Sequence, residues 1–362
     1  MRVPGANQPI GIDISGGELF AAQVVGGASP RLLHAAHSRL PETAPQKKDA
    51  RKQLADAIRD AVVHGFKGRR ATLLLPHEAI FSAPLRFHVR SVDALENILI
   101  QEAAKALPYP IEEALLDYAS LVGPPMGGAG TYEATIVAAR HEDVDHYLAA
   151  AADAGLTVEA IDFAASALLR LHRALDRTVR TAEVLVYVGR QRSLLLATTA
   201  SNILAYRTVD WGVAPLVDAL LSKLQLGDER ANATYMLSEF GLSQSGQGTG
   251  AGEIDGAAEI RRTVSQVCAP MVDDLLRVLF SLTAYVRSQP GTPPFERLGL
   301  YGFASVIKGI DAYVGSRIDI PTIAATGVEA LSPAGWRGVS DDVDLAGASL
   351  ALGLSLRRLP WL

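Results

Sequence analysis

The stretch Pro9-Ile-Gly-Ile-Asp-Ile-Ser-Gly-Gly17 constrains this chain most, because it returns in altered form at Val184-Leu-Val-Tyr-Val-Gly-Arg190. Each copy opens as an apolar strand and closes on a glycine turn. Alternating segments follow: Leu19–Val25 and Leu32–His37 after the first copy, Ser193–Ala197 and Ile203–Val209 after the second. Period-two alternation marks a strand with two unlike faces. Three strands and then a helix, occurring twice about half a chain apart, predict two similar α/β domains facing one another. Two such turns would approach a phosphate group from opposite sides. The second copy carries Tyr187 where a magnesium-handling carboxylate is expected. The frame of a nucleotide cleft is there, with part of its chemistry missing.

The 362 residues fit two domains, or two with an insert, at roughly 150 residues each. An apolar fraction of 49% supplies large cores and argues against global disorder. A net charge of −5 leaves no electrostatic footprint for nucleic acid. The single cysteine, Cys268, excludes an internal disulfide and falls in the apolar pattern of a long helix, so it reads as a buried thiol. Met1–Gln8 lacks the apolar core of a signal peptide, and no run of about 18 apolar residues exists. The expectation is a cytoplasmic protein, held at a membrane only through a partner.

Along the chain, Asp49–Phe66 reads as a helix, Ala71–Leu75 as a short strand, and Ser91–Leu107 as an amphipathic helix capped by Ser91 and ended by Pro108. Leu115–Val122 and Thr131–Ala138 read as strands joined by a Gly/Pro-rich hairpin, Glu142–Ala154 as a helix, and Thr157–Asp162 as a strand. Residues 71–150 thus read as a small unit interrupting the first domain. In the second half, helices are expected at Val213–Leu224 and Asp228–Phe240, a mobile Gly/Ser/Gln loop at 242–256, and a long helix over Ala257–Arg287 that Pro270 kinks or splits. Leu298–Tyr301 reads as a strand, Gly302 as a turn, Ser305–Val314 as a helix and Ile318–Ile323 as a strand. A small-residue-rich helix over Asp342–Leu356 completes the pattern.

Several stretches, in this order and spacing, resemble the PilM family of type IV pilus assembly proteins, actin-like proteins related to FtsA. They are Gly11-Ile-Asp-Ile14, then Gln101-Glu-Ala-Ala-Lys-Ala-Leu-Pro-Tyr-Pro110 before Leu116-Asp-Tyr118, then Val137-Ala-Ala-Arg140. Ala154-Gly-Leu156, Ala160-Ile-Asp162 and the closing Ala351-Leu-Gly-Leu-Ser-Leu-Arg357 complete the set. The resemblance implies an α/β actin-like ATPase fold of two ribonuclease H-like domains. Domain 1 would span 1–180 with the PilM/FtsA-type subdomain inserted at about 71–150, and domain 2 would span 181–341. The helix and tail of 342–362 would pack back on domain 1.

The resemblance also allows the nucleotide elements to be checked in turn. The first phosphate loop keeps Asp13, with Ser15, Gly16 and Gly17 small enough for their amides to approach a phosphate. Phe20 stands where a polar or basic residue is common. The second loop has Gly189 but Tyr187 in place of aspartate, and magnesium prefers carboxylate oxygen to a phenol. The adenosine-side turn reads Gly302-Phe303-Ala304-Ser305, with a bulky ring where backbone must approach the nucleotide, and the helix preceding it carries Met236 and Leu237. Asp13, Ser15, Gly16, Gly17, Gly189, Gly302 and Ser305 therefore outline a vestigial cleft. ATP and magnesium are not required, and ATPase chemistry is expected to be lost or weakened.

Each residue has a plainer alternative. Asp13 reads equally as a strand-end turn residue, and Ser15-Gly16-Gly17 as an ordinary hairpin turn. His141 and His146, five apart on a helix, do not share a face; His34 and His37 fall on opposite faces of a strand. By resemblance, the function is a cytoplasmic scaffold of a pilus or related secretion machine, peripheral at the inner membrane. It would bind the cytoplasmic tail of a PilN-like single-pass protein and meet other platform proteins and motor ATPases, with self-association open. A working ATPase and an FtsA-like filament former are the alternatives. Phe81, Leu85 and Phe87 are the apolar candidates for the partner groove beside the insert. The tail Leu356-Arg-Arg-Leu-Pro-Trp-Leu362 resembles the Leu-Leu-Pro segment of PilN, or packs on its own body.

Overall fold

A computed structural model describes residues 6–27, 29–40, 47–123, 128–178, 180–199, 202–227, 229–242, 255–289, 291–325, 331 and 346–358. Its contacts divide the chain into two units: Met1–Arg170 with Pro333–Val343 and Leu350–Leu362, and Leu171–Ser332 with Asp344–Ser349.

The first unit opens with β1 (Ile10–Ser15), β2 (Glu18–Val25), β3 (Arg31–Arg39), α1 (Lys47–Val62) and β4 (Arg70–Leu74). An excursion follows: β5 (Ile80–Val89), α2 (Leu95–Ala106), β6 (Ala114–Val122) and β7 (Gly130–Arg140). The chain returns through α3 (His141–Asp153) and β8 (Thr157–Asp162) into α4 (Ala164–Leu175). The main sheet runs β3-β2-β1-β4-β8, with β1 antiparallel to β2 and parallel to β4. Its core gathers Ile10, Ile12, Ile14, Leu19 and Leu73 against Ile58 of α1 and Ala150 and Ala151 of α3. The excursion forms its own antiparallel sheet, β5-β7-β6, under α2, with Phe87, Val89, Leu99, Tyr132 and Ile136 as its core.

The inserted unit is thus shorter than 71–150. Ala71–Leu74 lies inside the main sheet between β1 and β8, and α3 packs on α1. Ser91 does not cap an α-helix. Its carbonyl accepts the Ala94 amide in a 3-10 turn over Val92–Ala94, and α2 begins after it. Two elements were not expected at all, β5 and α4.

The second unit repeats the plan with β9 (Ala182–Val188), β10 (Ser193–Thr199), β11 (Ile203–Val209), α5 (Val213–Leu224) and α6 (Arg230–Glu239). It continues with α7 (Asp255–Arg287), β12 (Arg297–Gly302), α8 (Ile310–Ile318) and β13 (Thr322–Ala324). Its sheet order, β11-β10-β9-β12-β13, has the same form as that of the first unit. α7 runs unbroken past Pro270. Phe303–Val306 is a separate 3-10 turn, so the expected helix over Ser305–Val314 begins later, at Ile310, and takes Ile318 from the expected strand. Residues 243–254, most of the expected mobile loop, lie outside the described residues, whereas Leu242 is buried.

The last helix, α9 (Ser349–Ser355), is shorter than expected and ends in a 3-10 turn over Leu356–Arg358. Residues 342–345 and 359–362, Trp361 included, lie outside the described residues. The helix needs small partners in the first unit. A Cβ on Gly11 would stand 1.9 Å from the Ala351 carbonyl oxygen, and one on Gly353 2.0 Å from that of Ala167. Ser355 fixes the register by donating to the Pro9 carbonyl at 2.7 Å and accepting the Val24 amide at 3.1 Å.

Candidate functional site

Within the first unit, a cavity of about 320 Å³ lies where the inserted sheet meets the body. Its apolar lining comes from Leu75 after β4, Ile80 at the start of β5, Leu115 and Leu116 of β6, and Val137 of β7. β6 is an outer strand of its sheet, and it leaves Leu115 44% and Tyr118 49% exposed. A cavity of this size falls in the range of ligand-binding clefts, and these two side chains stand open at its rim.

The polar end of the cavity is built from β8, α4 and the C-terminal turn. Asp162 is buried, and one of its carboxylate oxygens, Oδ1, accepts the Phe163 amide at 2.7 Å. Its other oxygen, Oδ2, takes two guanidinium groups, Arg170 from α4 and Arg357 at 2.8 Å. Burial pushes the Arg170 guanidinium below its ordinary value, and the adjoining Asp162 carboxylate holds it up. Arg170 also donates to the Gly353 carbonyl at 3.1 Å, which ties α9 to the cavity wall. Next door, Arg358 pairs with Glu159 at 2.9 Å.

Phe81, Leu85 and Phe87 occupy a different place from the one expected. Phe87 is a core residue of the inserted unit, and Phe81 and Leu85 pack against the same cluster. None of the three lines the cavity. Their place is explained by the sheet itself, which packs them into the cluster shared with α2.

The glycine turn of the first unit is a two-residue hairpin loop. Ser15 pairs with Glu18, and Gly16 and Gly17 sit at φ 59° and 75°, as a type I′ turn demands. Asp13, on β1, has no solvent exposure, and no group meets either carboxylate oxygen in good hydrogen-bond geometry, Ser15 being the hydroxyl beside it. Burial raises its pKa from the ordinary 3.8 to about 7; Ser15 pulls it back and the charge of Glu18 adds to the rise. Glu18 is itself buried, 3.2 Å from His37 Nε2, and Phe20 stacks on the His37 ring with centroids 4.6 Å apart. The hairpin therefore holds two buried acids, and no Lys or Arg occurs between Pro9 and Val25.

In the second unit the corresponding residues are committed to packing. Tyr187 is 6% exposed, and its hydroxyl donates to the Gly347 carbonyl at 3.3 Å. Its ring fills the space beside Gly302, where a Cβ would stand 2.7 Å from it. Gly302 sits at φ 67°, and Ser305 turns its hydroxyl back onto the Gly302 carbonyl at 2.8 Å. The Gly189 amide donates to the Arg192 carbonyl. Phe303, which follows directly on the Gly302 turn, is buried, and the Arg190 guanidinium lies over its ring at 5.0 Å. Sequence reasoning also missed a buried polar network here. His172 meets the Tyr301 hydroxyl at 2.6 Å and Glu183 at 2.8 Å, and Arg297 joins Glu183 to Asp176. Among the described residues no group of three His, Cys, Asp or Glu side chains is placed to hold a metal ion.

The family described as type IV pilus assembly protein PilM matches residues 11–245. Among solved structures, the chain is similar to one of a PilM-PilN type IV pilus biogenesis complex, at TM-score 0.71 and 20% identity over 97% of this chain and 98% of that one. It is also similar to the ethanolamine utilization protein EutJ from Carboxydothermus hydrogenoformans, at TM-score 0.53 and 11% identity over 98% and 90% of the two chains. These likenesses establish the actin-like ATPase fold.

Proposed function

This chain belongs to the PilM family of type IV pilus assembly proteins, and on that premise we propose that it is a scaffold docking the cytoplasmic tail of a PilN-like membrane protein. The observation that carries the proposal is the cavity between insert and body, with an apolar lining, an outer strand and two half-exposed apolar side chains at its rim. An extended apolar segment fits such a surface, because alternate side chains can enter the cavity while the backbone runs along the strand. No described helix is long and apolar enough to cross a membrane. In this reading the chain reaches the inner membrane through the partner, and the other pilus platform proteins and motor ATPases connect through it.

Leu115→Glu combined with Tyr118→Ala tests the docking directly. Both side chains are well exposed, so the fold should survive. Binding of the partner's cytoplasmic tail should weaken at least tenfold by fluorescence anisotropy. Unchanged affinity would mean the tail docks elsewhere. Removing residues 71–150 is not a usable test, since it would take β4 and α3 out of the main core.

The same proposal assigns the chain little or no ATP chemistry. Phosphoryl transfer relies on cations and positioned donors to stabilise charge on the phosphates. Tyr187 stands where a carboxylate would orient a magnesium shell, and Glu18 adds a second buried acid to the hairpin that carries Asp13. These departures support a site with weakened affinity for a magnesium–triphosphate. Calorimetric titration with Mg-ATP and a phosphate-release assay should both read as blanks. Micromolar binding with turnover that disappears in Asp13→Ala would overturn this part.

A further inference from the structure

Arg357 is a second cation on a single buried carboxylate. Asp162 is buried, and a buried carboxylate stripped of its only cation is a severe defect. It has two. Arg170, 14% exposed at its side chain, neutralises Asp162 from within α4. Arg357, 43% exposed, reaches the same oxygen from the C-terminal turn, and its positive charge works against that of Arg170. One carboxylate facing two guanidinium groups leaves a surplus positive charge at this end of the cavity. Arg357 can turn to another anion while Arg170 keeps Asp162 paired.

The remaining polar lining is Ser166, Tyr118 and Asp117, and Asp117 is the other charge there. Asp117 sits on the exposed strand β6, where its carboxylate accepts the Tyr118 amide at 2.8 Å. The neighbouring acid, Glu159, already faces Arg70 and Arg358. Of the two lining carboxylates, Asp162 takes both guanidinium groups, and Asp117 lies on β6 with one oxygen engaged by its neighbour's amide.

We propose that Arg357 is a specificity-determining residue of this cavity, selecting docking segments that carry a carboxylate side chain next to their apolar residues. This rests on the docking reading above and adds the chemistry of the partner segment. A guanidinium fork can hold a carboxylate through two parallel N–H···O bonds, a geometry that lysine's single ammonium lacks.

The test uses the full chain and a peptide series. The host is acetyl-Ser-Ser-Leu-Leu-Pro-Ser-Ser-Ser-amide carrying a fluorescent label, with Glu or Gln at each Ser position in turn. At one position Glu should bind roughly tenfold more tightly than Gln, as expected for a charge-assisted pair. That preference should fall to within twofold in Arg357→Gln, survive in part in Arg357→Lys, and persist in Asp117→Asn. Peptide binding without a Glu preference, or a preference unaffected by Arg357→Gln, overturns the assignment and leaves the docking reading intact. If no peptide binds at all, the docking reading fails and the assignment fails with it.

Discussion

Asp13 gives the sharpest prediction, because its burial should make the protein less stable at neutral pH than in mild acid. In the unfolded chain its carboxyl titrates near 3.8; in the folded first unit burial raises it to about 7, with no solvent exposure. Between those two values the folded state holds a proton that the unfolded state has released. Folding stability therefore falls as pH rises through that window, by ~1.4 kcal/mol for each pH unit, and is flat above it. Over about three pH units the penalty is on the order of 4 kcal/mol. Asp13→Asn removes the titration but buries an amide with few partners, which takes back ~1–3 kcal/mol. The variant should then be more stable than wild type by ~1–3 kcal/mol at pH 8, with the gap shrinking or reversing by pH 5. Urea unfolding followed by circular dichroism at pH 5, 6, 7 and 8 measures this on the transition of the first unit. A difference independent of pH, or a wild type more stable at pH 8, would refute the idea that burial holds Asp13 protonated in the folded state.

Three further outcomes are expected. Asp162→Asn leaves Arg170 buried without its anion and should cost ~3–5 kcal/mol, whereas Arg357→Gln should cost under ~1 kcal/mol; thermal melts of the two variants compare them, and equal losses would contradict the division of labour. Gly353→Ala drives a Cβ into the Ala167 carbonyl and should cost at least ~1–3 kcal/mol, while Gly256→Ala meets nothing within 4 Å and should stay within about 0.5 kcal/mol of wild type. Tyr187→Asp should not create turnover; it exchanges a packed ring for a buried carboxylate and should destabilise the second unit by ~3 kcal/mol or more, read by the same melts.

Much of the frame was legible because it rests on short-range patterns. The antiparallel strands at the head of each unit alternate cleanly, and the helix expected at Val213–Leu224 has those bounds in the structure. What stayed hidden depended on neighbours. β5 contains Pro84, which argues against a strand until β5 proves to be an edge strand, where a missing amide is harmless. α4 carries Arg170, His172 and Arg173 in its apolar stretch, and His172 is buried only because Tyr301 and Glu183 meet both ring nitrogens. The cavity was equally illegible, since its lining comes from β5, β6, β7, β8, α4 and a turn near residue 357. Local pattern could name Phe81, Leu85 and Phe87 as apolar, but only the sheet register shows them serving α2.

The two glycine turns differ in what they do for the fold, and that difference bears on the chemistry. Gly16 and Gly17 close a hairpin that needs no help from Asp13, and Asp13 weakens the folded state above about pH 4. Tyr187 does the opposite: its ring packs beside Gly302, its hydroxyl meets the Gly347 carbonyl, and its burial adds apolar contact. The strands carrying these positions are secured by other residues: Ile10, Ile12 and Ile14 in one unit, Val184, Val186 and Val188 in the other. Turn chemistry can therefore change without loss of the strand order. The cavity in the first unit draws on none of these turn residues. Docking and turn chemistry are therefore separable in this fold, as the proposed function requires.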